Sequence, residues 1–190
     1  RPIALRFPGS RTTGPHTLFL DGDSIISGFA RAGYFTICIG GTGFFNPSTP
    51  LGKVLPSLFQ EAHYDRELGV TSPTSPAAQL GLAAARLSSI PIDQRVFLFV
   101  NVSATHPPTR IFMKGATRES RATQTEALVG VDRALPILQA ALKARGGAVG
   151  IICSDHGTCF GEEGDDGYFG HRIAHPSVLT VPYAEVEVSA

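Results

Sequence analysis

The chain has 190 residues, 43% of them hydrophobic, with 16 basic and 16 acidic side chains and a formal net charge of zero. That length and apolar content suit a single domain, residues 1–190, able to bury a sizeable core. Balanced charge without a basic block excludes nucleic acid or an anionic membrane as the expected partner, and no apolar run approaches the roughly 18 residues of a transmembrane helix.

The chain opens on Arg1 rather than Met, so a processed, trimmed or incomplete chain is expected. Its three cysteines form an odd set with no charged-then-apolar leader, which predicts a reducing, cytoplasmic compartment. Cys38 and Cys153 lie in apolar runs and are expected as buried thiols.

Arg1 to Thr13 is a turn-rich lead-in without a period. Asp23 or Ser24 can cap a short helix with Ile25, Ile26, Phe29 and Ala30 on one face, and Gly33 stops it. Tyr34 to Ile39 reads as a buried strand that runs into Gly40-Gly-Thr-Gly-Phe-Phe-Asn46. That loop either brings backbone N–H groups to an anion or simply turns.

Leu51 to His63 carries Val54, Leu55, Leu58, Phe59 and Ala62 at helical spacing, with His63 a surface residue near the helix end. Ser75-Pro76 opens a further helix whose apolar face is Leu80, Ala83, Ala84 and Leu87. Arg95 to Val102 is apolar on both faces, as a central parallel strand is, and places His106 just past its carboxyl end.

A long amphipathic pattern then runs from Arg118 to Arg145 through Leu128, Val131, Leu135, Leu138 and Leu142, with a kink or break expected at Pro136. Gly146-Gly147 ends it. The next stretch, Ala148-Val-Gly-Ile-Ile-Cys-Ser-Asp-His-Gly157, reads as a buried strand delivering polar groups at its carboxyl end, where open α/β sheets place their sites. Ser177 to Tyr183 is a strand interrupted by Pro182, and Ala184 to Val188 an edge strand. Strands alternating with helices predict an α/β layered fold with a largely parallel sheet.

Asp155 and His156 pair a hard anionic oxygen with an imidazole, a donor set that borderline divalent metals accept. His171 and His175 follow at i,i+4 spacing, on one face if helical, and His106 arrives from a neighbouring strand. Cys159 lies near these groups. The acidic run Glu162, Glu163, Asp165 and Asp166 either holds a cation or is a solvated loop. No nucleophile elbow, Walker loop or Cys-x-x-Cys pair is present.

Ser154-Asp-His-Gly157 at a strand end resembles the metal-binding signature of the alkaline phosphatase superfamily, in its sulfatase and phosphodiesterase branch. Four other segments agree in order: Ala32 to Gly41, Phe97-Leu-Phe-Val with Thr105-His-Pro107, Leu128 to Leu135, and Gly170-His171 through Val181-Pro182. The resemblance spans Ile25 to Pro182 and implies a three-layer α/β/α sandwich with a mostly parallel central sheet.

It also implies a metal-dependent hydrolase or transferase acting on small anionic phosphate or sulfate esters. Asp155 and His156, with His175, are then expected to hold a divalent Zn, Mn, Ca or Mg ion. His106 faces the ester oxygen or leaving group, and His171 is a cationic residue near the transferred group. Thr42-Gly-Phe-Phe replaces the family's Lys and His after the first matched strand. The family's first strand and its nucleophile lie upstream of the matched region, and Thr12 or Thr13, which could be proposed as nucleophile, lies in no recognisable context, so the chain is expected to lack the amino-terminal catalytic segment. A non-catalytic member that binds metal or anion without turnover is the alternative.

Overall fold

The computed structural model describes residues 23–49, 52–162 and 167–190. Its central unit is a parallel sheet in the order β2-β1-β3, built from β1 (Phe35–Gly40), β2 (Glu61–Tyr64) and β3 (Val96–Val100). Ile37 pairs with Glu61 on one side and Leu98 on the other, so β1 is the middle strand. Ile37, Cys38 and Ile39 are fully buried; each isoleucine contributes about 1.5–3 kcal/mol of burial.

Alternation along the strands sorts their side chains into two faces. On one, Ile37, Ile39, Val96, Leu98 and Val100 pack with Leu68, Ala83, Leu82 and Leu138. These last two come from α2 (Ser75–Ser89) and α3 (Arg121–Ala144), which lie against each other on that side. On the other face, the Phe97 ring stacks at 4.4 Å on Phe29 of α1 (Ile25–Arg31) and at 6.3 Å on Phe59. Helices therefore cover both faces of a parallel sheet, the three-layer arrangement expected from the sequence.

The caps are local and legible. Ser24 and Ser27 close a capping box at the start of α1, and Ser120 and Thr123 do the same for α3. The α3 helix runs unbroken through Pro136; packing against α2 carries it across the hydrogen bond that proline removes. Its buried stripe is Thr123, Ala127, Val131 and Ala134, while Leu128 is 58% exposed.

Three expectations are corrected. Leu51 to His63 is not a helix: a 3-10 turn at Pro56–Leu58 leads into β2, because Pro56 supplies no N–H to an α-helical ladder. His63 sits in that strand with its Nε2 2.6 Å from Glu61 Oε1. The strand before the Ser-Asp-His-Gly segment, β4 (Gly147–Cys153), is not a buried parallel strand. It pairs antiparallel with β7 (Tyr183–Ser189) in a two-stranded ribbon, with Val149 84% and Ile151 61% exposed. Cys153 is exposed with them. Pro176–Leu179 forms a short helix, α4, where a strand was expected. The lead-in Arg1 to Thr13, with Thr12 and Thr13, lies outside the described residues.

Candidate metal and ester site

At the end of β4 the backbone turns on its own side chains. Asp155 Oδ1 accepts from the His156 N–H at 3.0 Å, and Ser154 Oγ donates to the His156 carbonyl at 2.7 Å. His156 Nδ1 lies 2.9 Å from the Gly157 carbonyl oxygen. A carbonyl only accepts, so Nδ1 carries a proton; in the neutral ring Nε2, 3.7 Å from Asp155 Oδ2, keeps its lone pair. Asp155 is exposed and His156 half-buried.

Gly157 is where a second segment docks on this tip. Its N–H donates to the Val178 carbonyl at 2.9 Å, and a Cβ there would collide with the Ser177 carbonyl oxygen. That seat holds the stretch from His171 to Leu179 against the Ser-Asp-His-Gly turn. The His171 ring accordingly stacks on His156 at 4.2 Å with planes 24° apart. Partial desolvation holds the His171 imidazole below its ordinary value. The positive charges of His156, Arg172 and His106 push the same way, against Asp155. One imidazole thus lies within electrostatic reach of Asp155, His156 and His106. The depressed value favours the neutral ring at neutral pH.

His106 arrives from the carboxyl end of β3 and is exposed. Its Nδ1 lies 2.8 Å from the Pro107 carbonyl, which leaves Nε2 as the working nitrogen. Residues not singled out from the sequence hold this loop. Glu119 accepts from Thr109 N and Oγ1, both at 2.7 Å, and from Arg110 Nη1 at 2.7 Å. Gln124 Nε2 donates to the Thr105 carbonyl at 3.0 Å. Fully buried Gln79 donates to Asn101 O and accepts from Ser103 N. A glutamine one residue before Leu80 on an otherwise apolar helix face was a readable signal for Gln79; nothing in the local pattern marks Glu119.

His175 takes a different place. It is the N-cap of α4: its Nδ1 accepts from Ser177 N at 3.1 Å and lies 3.4 Å from Cys159 Sγ. The segment from His171 to His175 is not helical, so the i,i+4 face does not form. Cys159 is fully buried. Glu162 accepts from Arg121 N at 3.2 Å, and the other acidic residues of its run lie outside the described residues.

A divalent metal suits the donors at the β4 tip by chemistry: a carboxylate and an imidazole whose tautomer leaves Nε2 free. Among the described residues, no group of three or more His, Cys, Asp or Glu is arranged to hold one.

No protein-family model and no curated protein matches the chain. Solved structures of the C-terminal periplasmic domain of EcEptC from Escherichia coli are similar in fold. The complex with Zn has a TM-score of 0.64 and 19% identity, over 87% of this chain and 52% of that one. A second structure of that domain has a TM-score of 0.62 and 17% identity, over 85% and 50%. The chain spans about half the length of these structures. Likeness at this identity is one of fold, and it bears out the α/β class expected from the sequence. The expected cytoplasmic location is corrected by it, since both similar structures are periplasmic domains.

Proposed function

We propose that this chain carries part of the active site of a metal-dependent hydrolase or transferase of phosphate or sulfate esters, working outside the cytoplasm. The observation that carries this reading is the gathering of Asp155, His156 and His106, at the ends of strands from two different sheets, about the His171 imidazole. The fold likeness to a domain solved as a Zn complex supports it.

Asp155 and Nε2 of His156 are the atoms that hold the metal in this reading. The ion, when bound, supplies positive charge against the anionic ester group. The Asp155 side chain is held by the His156 N–H, and the His156 ring by the Gly157 carbonyl, so both donors are oriented before any ion arrives. His171, favoured in its neutral form, accepts or relays a proton at neutral pH rather than adding a fixed charge. His106, with Nδ1–H given to Pro107 O, presents Nε2, which in the imidazolium form donates to or protonates a departing oxygen. Acid–base help of this kind is worth on the order of 10²–10⁴ in rate. The nucleophile is assigned to none of the described residues.

Turnover tests the reading directly. The full chain should hydrolyse an aryl phosphate, an aryl sulfate or an aryl phosphodiester when Zn²⁺, Mn²⁺, Mg²⁺ or Ca²⁺ is added, and Asp155→Ala should abolish that activity. Metal binding without turnover would instead establish the second reading, a site that binds metal or anion and does no chemistry.

A further inference from the structure

A cleft of about 400 Å³ opens between the loops at the carboxyl ends of β1 and β2, lined by Gly41, Gly43, Gly69, Tyr64, Arg66 and Thr71 among others. That volume suits a small organic molecule. Three of these positions offer backbone with no side chain over it. The walls are mostly apolar, and among the lining residues Arg66 carries a guanidinium and Tyr64 and Thr71 carry hydroxyls.

The walls are fixed by buried polar groups. Gly41 is wedged between the Leu68 carbonyl and Ser103, where a Cβ would collide with both. Ser103 Oγ donates to that same Leu68 carbonyl at 2.6 Å, and Ser103 N donates to Gln79 Oε1 at 3.1 Å. The Thr42 N–H reaches Asn101 Oδ1 at 3.3 Å. The β1 loop, the loop after Arg66 and the end of β3 are thereby tied into one frame. Ser103 lies three residues before His106, so the frame that shapes the cleft is continuous with the loop that carries the histidine.

The charge of the cleft selects its ligand. Among the described residues Arg66 makes no ion pair, and its neighbours Asp65 and Glu67 are exposed acids. One guanidinium with hydroxyl donors, flanked by two acids, matches a single negative charge better than a phosphate dianion. A carboxylate accepts two parallel bonds from a guanidinium. We infer that this cleft recognises the non-transferred part of the ester, a small organic molecule carrying one carboxylate that meets Arg66. The inference rests on the ester reading for its reaction but not for its binding, and the two are separable.

The test uses the full chain and 4-hydroxybenzoate as probe, with phenol as the uncharged control. Heteronuclear NMR titration should move the amides of Gly41, Gly43 and Gly69 with 4-hydroxybenzoate and not with phenol. Arg66→Gln should weaken binding at least tenfold, and Arg66→Lys should keep part of it. With 4-carboxyphenyl phosphate and phenyl phosphate as the two substrates, Arg66→Gln should raise KM at least tenfold more for the carboxylated ester than for the plain one. Absence of binding by 4-hydroxybenzoate, or binding indifferent to Arg66→Gln, overturns the inference. Arg66-dependent binding of 4-hydroxybenzoate without turnover of either ester upholds the cleft and sinks the ester reading.

Discussion

His171 illustrates how much of the site's chemistry is set by neighbours and not by residue type. In isolation a histidine near an ester group reads as a cation. Placed 4.2 Å over His156 and within reach of Arg172 and His106, it is held toward neutrality, first by its partial desolvation and then because each nearby positive charge disfavours the imidazolium. The opposite case is Glu61. Arg86 donates to both of its oxygens, at 2.6 and 2.8 Å, and His63 adds a contact at 2.6 Å. The Arg86 guanidinium foremost, with help from His63, brings the carboxyl down to about 2 from 4.5. The folded value lies below the unfolded one, so this ion pair's stabilisation is fully present above pH 4.5 and is lost as pH falls from 4.5 toward 2. Urea unfolding midpoints measured across that window should fall more steeply for the natural chain than for Glu61→Gln.

At the scale of elements, legibility followed how local the signal was. Caps and apolar patterns marked α1, α2, β1, β3 and α3 correctly: Ser24 and Pro76 act within a turn of where they stand, and the stripe through Val131 marks α3. Leu51 to His63 reads as a helix from sequence because its five apolar residues happen to fall at helical spacing, while Pro56 and the pairing of β2 with β1 decide against one. The apolar run Val149 to Ile152 marked a strand but not its surroundings. Burial depends on what packs over a strand, and its partner β7 lies thirty residues further on in sequence. The histidines were legible as donors, but their roles were not: His175 caps α4 because Pro176 starts a helix there. Gly157 is the element-scale hinge of the site. Gly157→Ala should force the Ser177 carbonyl away, cost about 1–3 kcal/mol of stability and abolish the ring-to-ring NMR contact between His156 and His171. Retention of that contact at unchanged stability would show that α4 does not seat the histidine.

For the molecule as a whole, the parallel sheet and the β4–β7 ribbon are separate sheets, bridged by α3, which packs against both strands of the ribbon and, through Leu138, against the core on the parallel sheet. One supplies His106 and the other Asp155 and His156, so the candidate site exists only while α3 keeps the two in register. Glu119 and Gln124, at or just before the first turns of that helix, fix the His106 loop to it, and Gly146-Gly147 at its far end lead into β4. The account stands on Asp155 and His156 being metal donors in that assembly. Calorimetric titration of the full chain with Zn²⁺ should show saturable binding, weakened at least tenfold by Asp155→Ala and by His156→Ala separately, with the His171 ring resonances shifting as the ion is added. Zn²⁺ binding of unchanged strength in both variants, or none in the natural chain, would contradict it.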